Sequence, residues 1–154
     1  MKPVGRGLDE PHGFVTARLA DHWFALPIAS VHEVFRLSLV TQVPQSSPGV
    51  IGVMNLRGRI ATALDTRQIL GLPSARGGAT LAIGIERRGE LFGFAVDEMG
   101  DVLTSVPGER EPAPVNLDQR WREVVAGVTR FDRHLVLIVV VDRLFDGILT
   151  TANA

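Results

Sequence analysis

Apolar and polar residues alternate along most of this chain in short runs, broken at close intervals by glycine, proline and small polar residues, a rhythm that predicts strands rather than long helices. The clearest block runs from Gly49 to Leu72. Val50–Met54 reads as an apolar strand, Asn55-Leu56-Arg57-Gly58 as a tight polar corner, and Arg59–Leu64 as the returning strand. A short helix follows: Asp65 supplies an N-cap acceptor, and Gly71 and Pro73 stop the chain from continuing. Gly58 suits the corner because positive φ has no steric cost without a Cβ. Arg57 stands out at the tip, a guanidinium with five donors beside an asparagine and among apolar neighbours.

The same reading extends to both sides. Residues 1–13 have the composition of a flexible arm. Phe14–Leu19 and Trp23–Ile28 form a hairpin about Asp21-His22, with Pro27 placing the second strand at an edge or ending it early. Ala29–Val34 fits a helical turn or a strand start equally well, and Arg36–Val43 reads as a strand before Pro44, Pro48 and Gly49. Residues 73–79 have linker composition. Thr80–Glu86 and Leu91–Val96 flank Arg87-Arg88-Gly89-Glu90 as a hairpin, Met99–Val106 is a further strand, and Pro107–Pro114 a loop. Asn116–Glu123 is a turn or short helix, Val124–Phe131 and His134–Val141 a last hairpin, and Asp142–Leu149 a closing helix capped by Asp142.

The chain also repeats itself. Phe24–Val34 lines up without a gap on Phe92–Val102, and the stretch from Gly52 through Arg57 to Thr66 lines up on Gly127 through Asp132 to Arg143 with two residues inserted. Each half is then a hairpin, a crossover strand, a second hairpin and a terminal helix. Units this small are best stabilised by closing into barrels that pack on each other, which also removes exposed edges. The expected fold is all-β, with a first barrel core over about 24–72, the linker at 73–79, a second barrel over about 80–142 and a terminal helix at 142–149, the Phe14 strand contributing to the pair. Phe24, Leu26, Phe92, Phe94 and the aliphatic last strand are expected to fill the barrel interiors, against the alternative of a barrel hollowed to sense a small molecule.

Composition narrows the chemistry. In 154 residues, 45% of them hydrophobic, there is enough apolar material for a real core. Sixteen Lys and Arg against seventeen Asp and Glu leave a formal charge of −1, without the basic excess of a nucleic-acid binder. The absence of cysteine excludes disulfides, thiolate catalysis and Cys-based zinc sites. No signal-peptide pattern opens the chain, and the aliphatic block Leu135–Val141 is too short to span a bilayer. The histidines at 12, 22, 32 and 134 make no metal-ligand pattern, Asp65 and Asp142 read as helix caps, Asp97-Glu98 as turn residues, and no glycine run makes a phosphate loop. Neither an enzyme nor a metal or cofactor site is expected. Val31, Val34, Phe35 and Leu37, interleaved with His32, Glu33 and Arg36, instead have the mixed character of a protein-facing edge.

Several stretches together resemble the CheW family of chemotaxis coupling proteins: Val31-His-Glu-Val34, the run 43–60 with its Asn-Leu-Arg-Gly corner, Asp65-Thr-Arg-Gln-Ile-Leu-Gly71, Val96-Asp-Glu-Met-Gly-Asp-Val-Leu103, and the closing strand and helix. The resemblance runs from about Phe14 to Leu149. It implies two SH3-like five-stranded barrels and a non-catalytic, cytoplasmic adaptor, monomeric in isolation, that links methyl-accepting chemoreceptors to the regulatory domain of the histidine kinase CheA. A paralogue serving a non-flagellar pathway fits the same pattern. Carried over by position, Val31, Glu33 and Val34 fall in a partner-contact segment, Gly52, Asn55, Arg57 and Gly58 in the corner, and Leu81 and Gly93 beside a groove between barrels where a receptor helix docks. Thr62 and Thr66 depart from the Pro and Leu of many family members, in strand and helix details.

Overall fold

The computed structural model describes residues 13–44, 48–73, 78, 80–104, 117–131 and 134–152. In chain order these form β1 (Gly13–Leu19), β2 (His22–Pro27), a 3-10 turn (Ile28–Ser30), β3 (Glu33–Arg36), β4 (Val50–Leu56), β5 (Arg59–Leu64) and α1 (Thr66–Ile69). There follow β6 (Leu81–Arg87), β7 (Glu90–Val96), β8 (Glu98–Thr104), α2 (Gln119–Val124), β9 (Val125–Phe131), β10 (His134–Val139) and α3 (Val141–Ala152). The fold is all-β with short helices, as its apolar alternation predicts.

The strands form two five-stranded sheets, ordered β8-β1-β2-β10-β9 and β3-β6-β7-β5-β4. Replacing each strand by the one five places along the chain turns either order into the other, so the sequence repeat is a structural one. The sheets nevertheless do not follow the division at 73–79. Each takes its first hairpin from one half of the chain and its other three strands from the other half. The terminal sheet (β1, β2, β8, β9, β10) therefore has both ends of the chain, and the central sheet (β3–β7) runs continuously between them, which corrects the expected cores at 24–72 and 80–142. The reason lies at the first hairpin's exit: after Pro27 the 3-10 turn closes with Val31 N–H donating to Ile28 O, and His32 N–H then donates to Gly84 O, committing β3 to β6 rather than to β2. Parallel pairs, β2 with β10 and β5 with β7, complete each sheet.

Leu37–Val43 is not the strand its pattern suggests; β3 starts and ends earlier. Leu37 N–H donates to Thr80 O, Leu39 turns the chain at φ 52°, and Thr41 then exchanges two 2.8 Å hydrogen bonds with Val53 of β4. Because β3 and β4 are the two edges of the central sheet, this bridge closes it on itself.

Three apolar clusters hold the molecule. Phe14, Ala25, Leu103, Val136 and Ile138 fill the inner face of the terminal sheet, and Phe35, Met54, Ala61, Ala82 and Leu91 that of the central sheet. The largest cluster lies between the sheets and includes Phe24, Leu26, Phe94, Leu64, Ile83, Val128 and Leu137, with Trp121 of α2 and Phe145 of α3 sealing it. Phe24, Leu26 and Phe94, expected inside the barrels, are thus part of a shared core, because the two outer faces are as apolar as the inner ones. Trp121, fully buried, meets the His22 ring edge-on at 5.0 Å and stands beside Phe24. Asn116–Glu123 resolves into α2 from Gln119, whose cap is Asp118, its carboxylate accepting from Arg120 N–H. Asp142 lies in the first turn of α3 rather than capping it, paired with Arg87 at 3.2 Å. The segments 1–12, 45–47, 74–77, 105–116, 132–133 and 153–154, with residue 79, lie outside the described residues.

One ionic contact ties the sheets where they separate. Asp97, between β7 and β8, accepts from Ala20 N–H at 2.8 Å in the β1–β2 turn and from Arg67 of α1 at 2.6 Å, with Arg18 at 3.8 Å. Burial pushes the Asp97 carboxyl up, but the Arg67 hydrogen bond, the Ala20 N–H and the two cations outweigh it, holding the pKa below the ordinary carboxylate value.

Since the folded-state pKa is the lower one, Asp97 stabilises fully above the ordinary carboxylate pKa of about 3.9 and loses that contribution as the pH falls through its folded value. Asp97→Asn is expected to lower the melting temperature at neutral pH and to lower it less in strong acid; equal losses at both pH values would contradict this. A second prediction concerns Gly93, where a Cβ would lie 2.6 Å from Phe35 Cζ. Gly93→Ala is expected to cost about 1–3 kcal/mol in urea unfolding, part of it recovered by Phe35→Leu.

Candidate protein interface

The β4–β5 corner is built by its own backbone. Arg57 at φ 52° and Gly58 at φ 86° are the two central residues of a two-residue hairpin turn with both in the left-handed region. The Asn55 side chain accepts from Gly58 N–H at 2.7 Å and holds that turn, so Asn55 and Gly58 are there to present Arg57. Arg57 is 69% exposed and reaches back to Glu33 on β3, whose carboxylate accepts from its guanidinium. His32 Nε2 stands 3.7 Å from the other Glu33 oxygen. The ion pair lies across the seam where the central sheet closes, and so joins two segments separated in sequence by the whole of β4.

Exposed apolar side chains lie on the strands that lead to the pair. Val34, on β3, and Ile60, on β5, are both exposed. Val34 pairs with Ile83, a member of the shared core, so this valine is the rim of the apolar layer between the sheets. Val31 is half-buried against the same core and lines a depression of about 590 Å³ with His32, Arg87 and Phe145. Arg87 covers that depression, its guanidinium 4.5 Å from the centre of the Phe145 ring.

A second concavity lies between the sheets. It has a volume of about 480 Å³ and is lined by Leu19 of β1, by Leu37, Leu39 and Val40 of the segment that follows β3, by Ile51 of β4, and by Arg67 and Asp97. Leu39 is 94% exposed at its lip.

Of the nine residues singled out in the sequence, Glu33, Val34, Asn55, Arg57 and Gly58 come together at one corner, and Val31 stands next to them. The other three do not. Gly52 is buried beneath Thr41, whose carbonyl oxygen would lie 2.3 Å from an added Cβ, and it permits the bridge that closes the sheet. Gly93 faces inward, and with Gly84 it makes room for the Phe35 ring. Leu81 packs on the shared core. Neither Leu81 nor Gly93 lines the groove. Sequence reasoning missed Leu39 and the Arg67–Asp97 pair as groove residues, although Asp65-Thr66-Arg67 and Asp97-Glu98 were visible as motifs. Their meeting depends on α1 packing against β7, which no local pattern encodes. Among the described residues, no three His, Asp or Glu side chains converge as a metal site would require, and no helix is long and apolar enough to cross a membrane.

Comparison with known proteins agrees with this geometry. The CheW-like domain family matches residues 13–148. The chain is 27% identical over 132 residues to the probable chemotaxis protein CheW of Rhizobium etli, with 85% of each protein covered. It is 27% identical over 148 residues to chemotaxis protein CheW of Thermotoga maritima, with 96% of each covered. Among solved structures it is similar to the scaffolding protein TtCheW of Thermoanaerobacter tengcongensis, at a TM-score of 0.73 and 26% identity over 88% of both chains. With nearly all of its described residues inside the family match, and with the same fold as a solved member, this chain belongs to the CheW family of chemotaxis scaffolding proteins.

Proposed function

We propose that this adaptor couples methyl-accepting chemoreceptors to the histidine kinase CheA in the cytoplasm, docking the kinase regulatory domain at the Glu33–Arg57 corner and a receptor helix in the groove between the sheets. The observation that carries the reading is the corner itself. An exposed charged pair at a sheet corner, with exposed Val34 and Ile60 on the strands that lead to it, has the make-up of an interface, in which apolar contact supplies burial and the charges set register. Arg57 is held there in a left-handed backbone conformation that is unfavourable for a non-glycine residue by roughly 1 kcal/mol. That cost is understandable if the guanidinium is needed at the tip. The groove supports the second contact: it is apolar along one wall and ionic at Arg67 and Asp97, as an amphipathic helix requires.

No bond is made or broken in this function. The shared core makes the two sheets one body, so partners bound at the corner and in the groove are held in a set relation, and a shift of one is felt by the other. Weak individual contacts gain from being linked. A small-molecule sensor is less well supported, since the inner face of the central sheet is packed with Phe35, Met54 and Leu91.

Arg57→Ala and Glu33→Lys are each expected to weaken binding of a kinase regulatory domain by about tenfold, roughly 1.4 kcal/mol, in calorimetric titration. The exposed ion pair contributes only about 1 kcal/mol or less to folding, so urea unfolding should hardly change; intact binding in both variants would remove the corner from the kinase interface. Leu39→Asp is expected to reduce capture of a receptor signalling-tip fragment while leaving kinase binding as it was. If it weakened both equally, the groove and the corner would not be separate sites.

A further inference from the structure

The internal repeat gives the Glu33–Arg57 corner a counterpart at the end of the terminal sheet. In the repeat alignment Asp101 stands where Glu33 does, Val102 where Val34 does, Leu135 where Ile60 does, and Trp23 where Leu91 does. Val102 and Leu135 are both exposed, as their mates are. The charges are not conserved between the corners. In the alignment Asp132 and Arg133 stand where Arg57 and Gly58 do, so the sequence of the tip differs between the repeats. Neighbouring Glu98 is matched by Arg18 at 2.9 Å, whereas Asp101 has no ion-pair partner among the described residues.

The side chains differ in the same sense. Leu91 is buried in the inner cluster of the central sheet, but Trp23 is only half-buried and lines a pocket of about 340 Å³ with Met99, Asp101, Phe131 and His134. Gly100 makes this possible: a Cβ there would lie 2.5 Å from the Trp23 ring, so the glycine lets the indole lie against β8. The His134 ring flanks the indole at 5.8 Å. An aromatic face, a thioether and a carboxylate with no ion-pair partner among the described residues therefore meet in an open pocket.

We propose that this pocket receives an arginine side chain presented by a partner protein, with the guanidinium stacked on the Trp23 indole and its N–H groups donating to the Asp101 carboxylate. A guanidinium fits better than an ammonium because it is planar, weakly hydrated and able to give two parallel hydrogen bonds while stacked. The exposed rim of Val102, Phe131 and Leu135 points to a protein as the source, since a free cation would leave that apolar surface uncovered. The site is distinct from the Glu33 corner and from the groove, and the proposal does not rest on the assignment of kinase or receptor to either.

The test is titration of the ¹⁵N-labelled full chain with N-acetyl-arginine N-methylamide, following the indole N–H signal of Trp23, with that of fully buried Trp121 as internal reference. The Trp23 signal should move saturably while Trp121 stays. The neutral citrulline analogue, and Asp101→Asn titrated with the arginine derivative, should each bind at least about tenfold more weakly. A Val-Arg-Val peptide with blocked ends should bind more tightly than the single residue, and that gain should disappear in Val102→Ser. An unmoved Trp23 signal, equal response to citrulline, or an undiminished response in Asp101→Asn would overturn the site. A peptide no tighter than the single residue would overturn a protein as its source.

Discussion

Everything in this protein depends on one apolar layer held between two sheets. Each sheet has an inner face with a handful of buried side chains, while the layer they share takes in strands from both, α1, α2, α3 and the fully buried Trp121. Burying a large apolar side chain contributes about 1.5–3 kcal/mol, so the balance of stabilisation lies in the shared layer rather than in either sheet. Neither sheet has the core of an independent domain. The molecule is consequently a rigid body with two differently composed ends, a property a scaffold needs.

The exchange of strands between halves strengthens that constraint. The central sheet is one unbroken stretch of chain from β3 to β7, whereas the terminal sheet must bring β8, β9 and β10 back to β1 and β2, so the terminal sheet is complete only when the two ends of the strand series meet across the central one. The crossing also explains why the Asp97 contacts sit where they do. The chain passes from central to terminal sheet between β7 and β8, and there Asp97 is bound by Ala20 of one sheet and by Arg67 following the other. A carboxylate whose pKa is held down by partners from two bodies is a clamp between them.

The same duplication explains how one small chain offers unlike surfaces. Two corners inherit the same exposed valine and the same exposed aliphatic residue on the returning strand, yet one is closed by an internal Glu33–Arg57 pair and the other has beside an indole an Asp101 with no ion-pair partner among the described residues. Shared backbone geometry with divergent charge lets related surfaces choose different partners, since complementary charge adds specificity more than raw affinity.

The strands other than β3, the hairpin corners at Arg57-Gly58 and Arg88-Gly89, the Asp65 cap and the internal repeat were legible in the sequence by itself, because each depends on residues within a turn or two of one another: alternation sets a strand, and Asn55-Leu56-Arg57-Gly58 sets a corner. The family resemblance was legible for the same reason, as it rests on those local motifs. Which strands share a sheet was decided only in three dimensions. The repeat states that the halves are alike but not whether each closes on itself or exchanges strands with its mate, and both arrangements satisfy the same pattern of apolar positions. For that reason Phe24 and Phe94 were assigned to interiors when they belong to the layer between, and Gly93 to a groove when it lies under Phe35. The pairings of Arg57 with Glu33 and of Arg67 with Asp97 likewise needed the tertiary structure, since an ion pair is a matter of distance, and the distance between residues far apart in sequence is set by packing.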